Sequence, residues 1–251
     1  MKIFRQIARH LATATAGRDK WFIYGAMLLL NSLTLGPSVQ GSSMLAPEQV
    51  ITRMEQQLVR QMETLGNYEA RRRYAVASGA VGDRNYLVVK EQYTAREGKQ
   101  FQVLERGGSK QVEKRVFTKL MEAEQENACG KAREEVSMNR HNYKFTFSRY
   151  DTQEHAYVFA VEPRTENRYL LRGTIWVDDK DFGVRRIEGE PAVKPSVFVR
   201  KTHFIHEFAK FGDYWLPVRH RSETDVALIG RSTLEIDYFD YEMENHKEER
   251  P

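Results

Sequence analysis

Residues 169–224 constrain the fold of this chain more than any other stretch. They read as a strand (169–177), a turn carrying Asp178, Asp179 and Asp181, and a return strand (183–188). A longer pair follows, 199–211 and 214–224, hinged on Gly212 and Asp213. β-branched and aromatic residues fill the runs while Gly and Asp punctuate them, the pattern of consecutive antiparallel hairpins. Further runs at 68–78, 84–96, 99–106, 143–150, 155–162 and 228–238 share it, with turns at Gly82 and Asp83 and at Glu97 and Gly98. The expectation is a mainly β protein with helices (α+β). About ten or eleven strands curl into an incomplete antiparallel β-barrel more readily than they stay flat.

Two helical regions interrupt the strands. Pro47 opens the first, in which Val50, Ile51, Met54, Leu58, Met62 and Leu65 recur at three- and four-residue spacing before Gly66 and Asn67 close it. The stripe reads as a helix packed on a sheet or, because Met adapts to irregular apolar partners, as a mobile lid. The second region, 112–136, turns Val116, Leu120, Ala123, Ala132 and Val136 inward and is divided at Gly130. Its run of Glu122, Glu124 and Glu126 reads as a solvated face. Both regions are expected to cover the concave side of the sheet.

The formal charge of +4 changes meaning once it is located. Lys2, Arg5, Arg9, Arg18 and Lys20 against Asp19 account for all of it, so the chain beyond Gly41 is balanced and calls for no nucleic-acid partner. Those cations precede the apolar run 21–30, and Pro37 stands before small residues, the three zones of an export signal. Cleavage after Gly41, cleavage after Ser43 and retention as a membrane anchor all stay open. The run is shorter than the roughly 20 residues a spanning helix prefers. The expected organisation is a signal at 1–41, one half-barrel domain at 42–241 and a charged tail at 242–251. The lone Cys129 forms no intramolecular disulfide and reads as an inert thiol, so the fold relies on core burial.

Alternation separates two faces. Tyr143, Phe145 and Phe147 share one side, as do Tyr157, Phe159 and Val161, and Leu234, Ile236 and Tyr238; Lys144, Thr146, Thr233, Glu235 and Asp237 point the other way. An apolar, aromatic concavity must be filled, covered by helices, or offered to an apolar ligand. Its candidate lining is Phe145, Phe147, Tyr157, Phe159, Ile175, Leu234 and Ile236, with Met54, Leu58 and Met62 from the first helix.

No catalytic set emerges. His203 and His206, three apart on a strand, face opposite ways, and His220 can approach only one of them, so no metal site and no cofactor are expected. There is no nucleophile elbow, since neither Ser196 nor Ser222 has the flanking glycines. Residues 106–110 (RGGSK) lack the context of a phosphate loop. Asp178, Asp179 and Asp181 read as turn formers. Arg71, Arg72 and Arg73 alternate across a strand and read as a solvated edge.

Residues 172–178 (RGTIWVD), 182–188 (FGVRRIE) and 211–217 (FGDYWLP) resemble the periplasmic lipoprotein carrier family, LolA, LolB and the broader outer-membrane lipoprotein-sorting proteins. The order of helix, three strands, helices and long meander is similar over roughly 48–240. The resemblance implies an incomplete barrel with helices over its mouth, and a hydrophobic cavity shielding acyl chains of a lipoprotein or lipid. It also implies a periplasmic monomer whose partners are an inner-membrane transporter and an outer-membrane acceptor. In that family a barrel Arg holds the lid helix by hydrogen bonding; Arg71, Arg73 and Arg84 are the positions considered, and none is assigned. Beside the carrier reading stand a periplasmic sensor or regulatory interaction domain of the same architecture, and a secreted enzyme with a site not visible in the sequence.

Overall fold

The computed structural model describes residues 44–78, 85–127, 130–194, 199–227 and 230–244. The leader, the turn at Gly82 and Asp83, Arg84, Cys129, Ser196, Leu228 and the tail from residue 245 lie outside the described residues. Helix α1 (Pro47–Thr64) comes first, with Pro at its first turn and Glu48 favourably placed at its positive end. Strands β1 (Tyr68–Ser78), β2 (Asn85–Thr94) and β3 (Gly98–Gly107) form a meander. A helical segment follows: α2 (Lys110–Val112), a π-helical turn (Glu113–Phe117), α3 (Thr118–Glu126) and α4 (Gly130–Val136). The remaining strands are β4 (Tyr143–Asp151), β5 (Ala156–Pro163), β6 (Leu171–Asp178), β7 (Val184–Pro191), β8 (Val199–Phe211), β9 (Tyr214–Val226) and β10 (Gly230–Met243).

All ten strands belong to one open sheet in the order β3-β2-β1-β10-β9-β8-β7-β6-β5-β4. The expected antiparallel meander is there, and so is the strand count. One connection escapes hairpin logic: β1 lies against β10 from Tyr68 opposite Met243 to Ser78 opposite Ser232. This joins the first meander to the last strand and leaves β3 and β4 as the two edges.

The register puts one residue from each of nine strands into a single row on the face that the helices cover. In order these are Phe147, Phe159, Ile175, Ile187, His206, His220, Ile236, Tyr74 and Leu87. The neighbouring row on the outer face alternates charge through Arg186, Glu207, Arg219, Asp237 and Arg73. Opposite charges facing one another across strands stabilise such a wet surface modestly. The inner face supplies the apolar burial.

That burial falls into separate clusters. Val50, Ile51 and Met54 of α1 pack on Tyr143, Tyr157, Phe159, Val161, Ile175 and Val177 of β4 to β6. Phe117 of the π-turn packs on Tyr74, Leu87, Val89, Ile236 and Tyr238. A third group, Leu65, Tyr68, Ala70, Tyr93 and Leu216, closes one end of the sheet.

Candidate functional site

Between the two helical covers runs a strip of inner face on β8 and β9. Phe204, His206, Phe208 and His220 are only half-buried there, whereas their row neighbours Ile175 and Leu87 are fully buried. The four rings form a continuous aromatic surface. Phe204 stacks on His220 at 5.7 Å between centroids, His206 on Phe208 at 4.5 Å, and His206 meets His220 edge-on at 5.3 Å. Tyr238 of β10 continues it, stacked on His206 at 6.1 Å.

His206 as a residue is half-buried, but its Nε2 is shut from water and has no hydrogen-bond partner among the described residues. Burial, with the neighbouring His220 adding to it, pulls the His206 pKa down to about 3; burial pulls His220 down to about 4. Both rings are therefore neutral at physiological pH. They behave as flat, weakly polar members of an otherwise apolar row.

Beside the strip lies a buried ionic cluster. Arg72, completely buried on β1, pairs through Nε with the equally buried Glu91 of β2, and through Nη1 with Glu124 of α3 at 2.7 Å. Lys99 reaches the same Glu124 oxygen at 3.0 Å, and the Tyr68 hydroxyl donates to Glu91 at 3.0 Å. The guanidinium also lies over Tyr238 at 4.6 Å and Phe101 at 5.1 Å, the geometry of cation–π attraction. Burial works against the Glu124 charge, but Lys99 and Arg72 outweigh it and hold its pKa down at about 2.

Arg72 corrects the reading of 71–73 as a solvated edge. β1 is paired on both sides, so it has no edge, and Arg72 shares the inner face with Tyr68, Ala70, Tyr74 and Val76. Arg71 and Arg73 do face solvent. Arg72, the one residue of the triplet not considered as a helix anchor, is the one that grips α3. The signal was present in the alternation, since apolar residues occupy every other even position from 68 to 76.

Polar contacts at the ends fasten α1. The Gln61 amide donates to the Trp215 carbonyl at 3.0 Å and accepts from its N–H at 2.9 Å, and the Tyr214 hydroxyl donates to the Thr64 carbonyl at 2.7 Å. At the other end the Tyr157 hydroxyl accepts from the Leu45 N–H, and Arg140 binds Glu55 and Thr52.

Of the residues expected to line a cavity, Met54, Tyr157, Phe159 and Ile175 are buried beneath α1, with Leu58 and Phe145 packed against them. Met62 is half-buried near the end of α1, and Phe147 is 37 % exposed at edge strand β4. Ile236 and Leu234 sit in the other cluster, toward α3. The set thus divides into two packed regions flanking the strip. His203 and His206 do face opposite ways, and His220 stands opposite His206. Among the described residues no three His, Cys, Asp or Glu side chains converge on a metal-sized site.

The turn at 178–183 ties the two halves of the sequence motif together. Asp178 Oδ1 accepts from the N–H groups of Lys180 and Asp181, as an Asp turn former does. Asp181 Oδ1 accepts from the Trp215 indole at 2.9 Å, and a Cβ on Gly183 would meet that indole at 2.1 Å.

No family model matches the chain, and no curated protein is similar to it. Its fold is similar to solved structures of distant sequence. A LolA superfamily protein from Nitrosomonas europaea matches 80% of this chain and 94% of its own at 10% identity, with a TM-score of 0.41. A domain described as an outer membrane lipoprotein-sorting protein, from Vibrio parahaemolyticus, matches 80% and 95% at 11% identity and a TM-score of 0.43. A DUF1329 family protein from Desulfovibrio piger matches 79% and 93% at 12% identity and a TM-score of 0.42.

Proposed function

We propose that the protein is a binding protein that carries an apolar chain, from a lipid or a lipid-modified protein, against the inner face of its sheet, and that it works in the periplasm after export by its leader. The observation that carries this reading is the half-buried aromatic strip of Phe204, His206, Phe208 and His220 between two helical covers. A flat, neutral, largely apolar surface of this kind gains roughly 25 cal/mol for each Å² it buries against hydrocarbon. An acyl chain would lie along β8 and β9. Helix α1, whose Val50, Ile51 and Met54 pack on β4 to β6, would shift along that apolar contact to admit more of it.

The full chain, purified without detergent, tests this by native mass spectrometry and by titration with a fluorescent fatty acid. Saturable binding is expected, weakened about tenfold or more by Phe204→Ser, since one aromatic contributes roughly 1.5–3 kcal/mol on burial. A protein that is repeatedly empty and also fails to bind the probe would end the proposal.

A further inference from the structure

Many cations in the described domain are matched locally, among them Lys90 with Glu69, Arg140 with Glu55 and Lys210 with Asp181. The segment from α2 into α3 instead brings unmatched cations close together. Lys110, Lys114 and Arg115 are exposed and make no ion pair among the described residues, and Lys119 pairs only with the half-buried Glu122, three residues on.

The π-helical turn gathers these charges. In an uninterrupted α-helix, the nine steps from Lys110 to Lys119 are about two and a half turns, which would put the two on opposite sides. The wider turn at Glu113–Phe117 brings Lys119 round toward Lys114 and Arg115. Together with Gln111 these four cations line one shallow groove of about 520 Å³. The segment's other face, Val112, Val116, Phe117, Leu120 and Met121, is committed to the core beside β1, β2 and β10. The charged face is therefore held out rigidly, and its lysine stems make the groove walls apolar.

We infer that this face docks the protein on an anionic phospholipid surface. The charge count and shape select that partner. Four cations over about 14 Å of helix suffice for headgroups, where each contributes about fivefold in affinity. Nucleic-acid binding draws on a longer basic track, and the chain beyond Gly41 has balanced charge. Apolar stems under cationic tips suit the boundary between headgroup and acyl chain. The inference stands apart from acyl-chain binding, and its test reads a different surface.

The leader carries five cations of its own, so the test needs a local readout. In the full chain with Cys129→Ser, an environment-sensitive fluorophore on Gln111→Cys is titrated with phosphatidylcholine vesicles containing 0 or about 30 mol% phosphatidylglycerol. A label on Thr152→Cys, exposed in the β4–β5 turn, serves as the control. The expected result is a blue shift at position 111 only, with anionic vesicles only, lost in high salt. Lys110→Gln/Lys114→Gln/Arg115→Gln should require about a hundredfold more lipid. Each single variant should lose about fivefold, and the singles carry the test if the triple variant loses its circular dichroism. The inference is overturned if position 111 stays silent, or responds equally to neutral vesicles. It is overturned equally if the variants keep the wild-type response, or if duplex DNA produces the shift at lower concentration than vesicles do.

Discussion

Gln61 occupies both backbone hydrogen-bonding groups of Trp215 at once, its amide donating to the carbonyl and accepting from the N–H. The side chain thereby does for β9 what a neighbouring strand would do, and fastens the C-terminal turn of α1 to the β8–β9 hairpin. Gln61→Ala leaves two backbone groups without their partner and is expected to cost about 1–3 kcal/mol. Urea denaturation measures the loss. Hydrogen exchange should show the extra opening concentrated in α1, and exchange raised evenly over the whole domain would contradict the assignment.

Arg72 and Glu91 are both fully buried, so removing one strands the other. Arg72→Met is expected to destabilise by about 3–5 kcal/mol, while Arg72→Met/Glu91→Met recovers a substantial part because no charge is left alone in the sheet. Chemical denaturation of the two variants decides it. A double variant weaker than the single would place the stabilising role with Glu124 rather than Glu91.

The histidine pair makes stability depend on pH in a defined direction. In the folded protein His206 and His220 resist protonation down to about 3 and about 4, whereas unfolded imidazoles take up protons below about 6.5. Their contribution is complete above that value and declines as pH falls from about 6.5 toward 4. Tyr238, Arg72, Lys99 and Glu124 are the other titratable groups around His206. Glu124, held down at about 2, loses its contribution only below the ordinary carboxylate range, so the two effects separate. Unfolding free energy measured between pH 7 and 4.5 should slope in the wild type and flatten in His206→Leu/His220→Leu. Parallel slopes would refute the assignment.

Gly183→Ala drives a methyl into the Trp215 indole, against which Gly183 leaves no room. Overpacking at this contact is expected to cost about 1–3 kcal/mol. It also disturbs the indole hydrogen bond to Asp181, so Trp215→Phe should be less damaging in the Gly183→Ala background than in the wild type. A thermodynamic double-mutant cycle checks this.

The strands were legible because each alternates, and alternation survives in a single sequence. Tyr143, Phe145 and Phe147 show their shared face plainly, and the structure keeps all three on the inner side. A run of three arginines has the composition of a surface, and this masks the alternation of Tyr68, Ala70, Tyr74 and Val76 that puts Arg72 on the inner face. The β1–β10 partnership was not legible at all, since turn residues report pairing only between consecutive strands. The π-turn was equally hidden. The apolar spacing starts the helix at Val112, and nothing in residues 113–117 announces a wider turn.

The β1–β10 seam also governs how this domain can be made. Asn67 bonds Glu244 across 177 positions of the chain, so the sheet is unfinished until its final strand has been synthesised. Closing so large a loop is entropically slow. Until then the first three strands and the six from β4 to β9 remain two incomplete pieces with bare hydrogen-bonding rims. Without β10 the β1–β3 meander and the β4–β9 meander would have no strand to join them.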